Sequence, residues 1–250
     1  MRQKPILILL LLAMVLPVWL NAQQIGGTAT YKFMTLTNSA RVAALGGEVI
    51  TPRENDLNIC FHNPATLSPT MDNHLVLNYV RYFADINYGY MSYAKDIKKI
   101  GTFAAGIHYV NYGSFTEADE LGNRYGEFKA AEYAINIMWS RPIDSLFTAG
   151  INLKPVISNL EQYNSYGIAA DIGISYHNPS NRFNAAFVLK NIGSQIKPYH
   201  HDNYEPLPFD MQLSVSQKLA HAPFRFTLLL HHLHRWDLTY NNPENPDKEI

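Results

Sequence analysis

The chain has 250 residues, enough for one large β domain or two smaller ones. Only 16% of the residues are charged, the formal net charge is −1 and 12% are aromatic, whereas an ordinary soluble domain carries about 25% charged residues. The absence of any basic block argues against a nucleic-acid partner, and a single cysteine, Cys60, excludes an internal disulfide.

Residues 1–22 carry an export pattern. Arg2 and Lys4 form a basic start, Ile6 to Leu16 an apolar core, and Asn21-Ala22 before Gln23 a small-residue cleavage site. The residue after that site is not cysteine, so no lipoprotein anchor is expected. Beyond the signal no apolar run approaches the roughly 20 residues of a membrane-spanning helix. The longest candidate, "FRFTLLLHHLH", is interrupted by Arg225 and by histidines. A membrane location is therefore open only to a β-barrel.

Residues 23–72 do not read as strands. In "TNSARVAALGG" Thr37 or Asn38 can cap a helix running from Ser39 to Leu45, and Gly46-Gly47 can end it. Such a helix has about two turns, too few to be stable alone in water, so it needs a wall to pack against. Arg41 is expected to find a carboxylate or carbonyls and hold the segment in place. In "CFHNPATLSP" Asn63-Pro64 initiates a turn and Pro69 ends it. The whole segment is predicted to be a plug, marked by Asn38, Ser39, Arg41, Gly46, Gly47, Asn63 and Pro64.

From Leu75 onward the pattern changes to period two. "LFTAGINLKP" sets Phe147, Ala149, Ile151 and Leu153 against Thr148, Gly150, Asn152 and Lys154; "GIAADIGISY" sets Ile168, Ala170, Ile172 and Ile174 against Ala169, Asp171, Gly173 and Ser175. Similar runs give nine strands, with turn chemistry at Arg141 to Asp144 and at Asn178-Pro179-Ser180. The fold class is all-β. A soluble sandwich would line its outer face with Lys, Glu and Asp. Here the polar face is Gly, Ser, Asn, Thr and Ala, which suits the hydrated lumen of a transmembrane antiparallel β-barrel, with Asn152, Lys154 and Asp171 as its candidate polar residues. Aromatics near strand ends, among them Tyr79, Tyr82, Trp139 and Tyr176, fit interfacial girdles. A secreted sandwich is the competing reading. Nine strands is an odd number and Tyr240 to Ile250 is polar and proline-containing, so residues 73–250 are expected to be a barrel lacking its last strands.

Chemical motifs are weak. "SYAK", Ser92 to Lys95, has the S-x-x-K spacing of penicillin-binding proteins, but on a strand the two residues point to opposite faces. His232 and His234 share a strand face and read as polar rim residues. Asp119, Glu120 and Glu127 lie in an expected loop without regular calcium-ligand spacing. With no H-E-x-x-H, P-loop or G-x-S-x-G, neither catalysis nor a cofactor nor a metal is expected.

"YKFMTLTNSARVAALGG" followed by "NPATL" resembles the PorV/PorQ family of type IX secretion system outer-membrane proteins, which are FadL-like barrels of Bacteroidota. "YGSFTEADELGNRYGEF", "LKPVISNLEQYNSYGIAADIGISY" and "PFRFTLLLHHLHRWDL" extend the likeness over essentially the whole mature chain. The resemblance implies a fourteen-stranded barrel in the cell outer membrane with no enzymatic activity. It also implies a place in the complex that attaches secreted cargo to the cell surface, with PorU, PorV and PorZ as partners beside outer-membrane lipid. The alternative, shared by the wider superfamily, is a channel for long-chain fatty acids or other hydrophobic small molecules.

Overall fold

The computed structural model describes residues 29–52, 54–119, 121–200 and 203–235. The expected signal peptide and the polar stretch from Tyr240 to Ile250 lie outside the described residues. Among the described residues the alternating segments fold as nine strands: β1 Leu75–Arg81, β2 Asn87–Ile97, β3 Gly101–Ala118, β4 Arg124–Pro142, β5 Phe147–Leu160, β6 Tyr163–Asn178, β7 Phe183–Lys197, β8 Asp210–Lys218 and β9 Arg225–Leu230. Each pairs antiparallel with the next, giving one sheet in the order β1 to β9. Turn residues sit where the chain reverses, as at Asp144, whose carboxylate accepts the Leu146 and Phe147 N–H groups at 2.7 Å. Among the described residues no helix is long and apolar enough to cross a membrane.

The sheet is inverted relative to a soluble one. On β5 and β6 the exposed positions are Ile151, Leu153, Ile157, Ile168, Ile172 and Ile174, while Asn152, Lys154, Ser158, Ser165 and Asp171 are buried. β4 repeats this, with Tyr133, Ile135 and Ile137 exposed and Glu132, Asn136 and Ser140 buried. A side-chain period of two fixes both faces at once, and these are the two faces expected from the alternation.

What buries the polar face is the N-terminal segment. It contains helices α1, Ala40–Ala44, and α2, Leu57–Cys60, with 3-10 turns at Lys32–Thr35, Pro64–Thr66 and Pro69–Met71. Leu57, Cys60, Phe61, Leu67 and Met71 pack on Tyr90, Ala94, Ala104 and Met138. Tyr31, Phe33 and Met34 pack on Val110, Ala134, Val156 and Ala169. The apolar core thus lies between this segment and the apolar residues on the buried face of the sheet.

Three details of the N-terminal segment and strands differ from the sequence reading, and His232 and His234 lie in the turn after β9 and not on a shared strand face. Ser39, and not Thr37 or Asn38, caps α1: its Oγ accepts the Val42 N–H at 3.2 Å. Asn38 is spent on tertiary contacts, giving its amide to the Asn58 carbonyl and pairing with His62. The helix ends before Gly46 and Gly47, whose φ values of +103° and +88° are left-handed and suit glycine. Second, the expected loop around residues 114–128 is mostly a hairpin, with Phe115 opposite Phe128 and Thr116 opposite Glu127. Polar residues suggested a loop, but both faces of this arm are solvated, so no alternation was needed. Third, β7 carries a bulge. Lys190 and Asn191 are both buried, Asn191 has φ +56°, and the β6–β7 register shifts beside them.

Candidate functional site

The site is the buried polar face and the segment seated on it. Asn63 organises the seat. Its Oδ1 accepts the Ala65 N–H at 2.9 Å, starting the 3-10 turn at Pro64, while its Nδ2 donates to the Ile50 carbonyl at 2.7 Å and to Ser175 Oγ at 2.9 Å on β6. The wall yields at Gly150 and Gly173, cross-strand partners on β5 and β6. A Cβ on Gly150 would lie 2.5 Å from Ala65 N and 2.6 Å from the Pro64 carbonyl oxygen, and one on Gly173 would fall on Asn63 Oδ1. Because Gly150 faces backbone, nothing flexible can move aside. Gly150→Val is therefore expected to destabilise the fold by about 1–3 kcal/mol and to expose residues near Asn63 to protease. Gly126→Ala, whose Cβ would meet only Glu117 Oε2 at 3.7 Å, should change neither in the same denaturant and proteolysis assays.

A charge network lies deeper on the same face. Lys154 Nζ is 2.6 Å from Asp171 Oδ1, with both side chains essentially inaccessible. Lys154 also donates to Asn191 Oδ1. Asp171 further accepts the Asn191 N–H at 2.8 Å and the Asn152 amide at 3.3 Å, and Asn152 reaches Asn136 at 3.0 Å. The bulge makes this possible: it turns Asn191 inward beside Lys190, and Asn191 Nδ2 donates to the Pro208 carbonyl at 2.9 Å. Lys190 pairs with Glu48 of the N-terminal segment. Two cations and two carboxylates thus balance in a region where an unpaired charge would cost several kcal/mol.

The segment also ties both edges of the sheet. Glu54 accepts from Arg225 on β9 and from Arg41, Arg41 donates to Asp56 at 2.8 Å, and Asn78 on β1 donates to Asn58 at 2.6 Å. Burial pushes the Glu54 carboxyl up, but the two guanidiniums outweigh it and hold it below its ordinary value. Arg41 therefore has its expected carboxylates, yet they come from its own segment. It remains half-exposed and does not meet Lys154 or Asp171, which pair with each other.

Acid should loosen this seat. Burial raises the Glu48 carboxyl, but Lys190 overrides it and takes it from the ordinary 4.5 to about 2. His62 is driven from 6.5 to about 3 by burial and then by Lys190. Both groups bind protons more readily in the unfolded chain, so stability falls as pH falls. The His62 contribution is lost from about pH 6.5 downward and that of Glu48 below about 4.5. Denaturant unfolding followed across this range should show the two stages, and His62→Asn should reduce the upper one.

Other singled-out residues do not gather here. Ser92 is buried against the Ala105 carbonyl while Lys95 is exposed and paired with Asp72. Asp119 serves its own turn, accepting from Leu121, Asn123 and Tyr125; these bonds, that of Tyr125 first, lower its carboxyl to about 2. Glu120 lies outside the described residues. The sequence reading missed Glu48, Lys190, Asn191, Gly150 and Gly173. A clue was present at Lys190-Asn191, where two adjacent polar residues break the alternation.

No family model matches this chain, and no curated protein matches it.

Proposed function

We propose that this chain is an outer-membrane β-barrel subunit of the type IX secretion system, acting in the cell-surface attachment complex and anchoring a surface partner such as PorZ, alongside PorU and PorV. The observation that carries the membrane part is the inverted sheet: exposed Ile, Leu and aromatic side chains on one face, buried Asn, Ser, Lys and Asp on the other. This is the partition of a lipid-facing barrel wall. Hydrophobic residues so arranged in water would form an apolar patch far larger than soluble monomers expose.

In this reading the N-terminal segment is a plug in the lumen, and β1 and β9 pair with further strands of a FadL-like, fourteen-stranded barrel, since open edges do not face lipid. The two longest excursions, the β3–β4 arm and the β7–β8 connection, stand at one end of the sheet beside the tight β5–β6 turn, and the turns after β2, β4, β6 and β8 stand at the other. Outer-membrane barrels place short turns in the periplasm and long connections outside, so the arm, with Phe115 stacked on Phe128 at 5.1 Å and Leu121 exposed, is the partner-facing element. The attachment role itself is supported by the likeness to the PorV/PorQ family described above.

Deleting the gene and profiling surface proteins that bear the type IX C-terminal signal tests the proposal. Loss of those cargos from the surface, or their release unattached, is the expected result. Normal display with impaired fatty-acid uptake would assign the chain to transport instead.

A further inference from the structure

A second cluster, bordering the buried charge network through Asp210, the cross-strand partner of Lys190, lies where β8 begins and the chain leaves β9. Asp210, His231 and His232 each bring one ligand atom into a group in which all lie within 4.8 Å of one another. Local bonds hold them there. The His232 N–H donates to Asp210 Oδ1 at 2.6 Å, the Leu233 N–H to the Met211 carbonyl at 3.1 Å, and the Arg235 N–H to the His232 carbonyl at 2.9 Å. Gln212 Nε2 donates to Asp210 Oδ2 at 2.7 Å, the kind of outer contact that orients a ligating carboxylate.

The histidine pair is the unusual feature. His231 Nδ1 and His232 Nδ1 are 2.6 Å apart, with the rings at 68°. Two neutral rings can share one proton between these nitrogens; a cation in place of that proton uses both lone pairs. A further imidazole stands by: the His234 ring is 6.0 Å from that of His232, and its Nδ1 is buried with no hydrogen-bond partner. Asp210 sits on the buried face and is 9% exposed, so the cluster has a dry side and a solvent side.

We infer that Asp210, His231 and His232 form a divalent metal site with zinc as the fitting cation. Two imidazole nitrogens and one carboxylate oxygen are a donor set zinc takes readily, leaving further positions for water or a neighbouring side chain. The ligands come from β8 and from the turn after β9, so the metal cross-links that turn to β8. This does not depend on the membrane reading.

The test uses the full chain purified in detergent, stripped with chelator and titrated with zinc alone. One zinc per chain, bound at micromolar concentration or below, is expected. Asp210→Asn and His231→Ala should each weaken binding at least about tenfold, and His177→Ala, on β6, should leave it unchanged. X-ray absorption of the zinc-loaded wild type provides a check that needs no variant: it should show a nitrogen and oxygen shell with imidazole scattering. Failure to retain zinc, wild-type affinity in both cluster variants, or a shell without imidazole overturns the assignment.

Discussion

Replacing Lys154 with alanine is expected to destabilise the fold by about 3–5 kcal/mol, because it strips the buried Asp171 carboxylate of its counter-ion. Water cannot compensate at a position this inaccessible. The remaining partners of Asp171, the Asn191 N–H and the Asn152 amide, are neutral. The loss should be largely recovered in the double variant Lys154→Met with Asp171→Leu, since apolar residues of similar volume often replace a buried pair without cost. Denaturant unfolding of the wild type, Lys154→Met, Asp171→Leu and the double variant measures the coupling. A loss below about 1 kcal/mol for Lys154→Ala would mean that the pair is solvated and that this face is not closed.

Ile172→Arg, on the face of β6 opposite Asp171, is the second large effect. Ile172 is 45% exposed. In water such a substitution changes stability by no more than about 0.5 kcal/mol, whereas an arginine on a lipid-facing strand near the bilayer midplane costs about 2–4 kcal/mol. Folding yield and stability in lipid bilayers therefore separate the barrel from a soluble sheet. A normal yield in bilayers would remove the lipid-facing assignment, while a loss confined to bilayers would support it.

Asp171 and Ile172 are sequence neighbours on β6 with opposite environments, and that opposition was readable from alternation alone. Side chains on a strand must alternate, so a run such as "IAADIGISY" declares both faces once one is known. The count of nine strands followed from the same period and from proline and asparagine at the turns. What alternation could not show is where the period breaks. The bulge at Lys190-Asn191 adds one residue to one strand, which only its partner strand reveals. The β3–β4 arm has two wet faces, so polarity imitated a loop. At the site, Asn63-Pro64 and the Gly-Gly stop were visible as turn chemistry, but Gly150 and Gly173 were ordinary strand glycines until the segment they receive was in place. Lys154 and Asp171 lie on the buried face; that they satisfy each other and leave Arg41 to Glu54 and Asp56 depended on register and distance.

The order of strands in the sheet has a kinetic counterpart. Every strand pairs with its immediate neighbour in the chain, so the sheet can grow hairpin by hairpin, with only the β7–β8 connection long. The N-terminal segment is different: Glu54 meets Arg225 across 171 residues, and Glu48 meets Lys190 across 142. Contacts of such span must wait for the loops between them to close. The portion of this segment made first is therefore expected to lock last, once the sheet it packs against has formed, with the Arg225–Glu54 contact reporting that step.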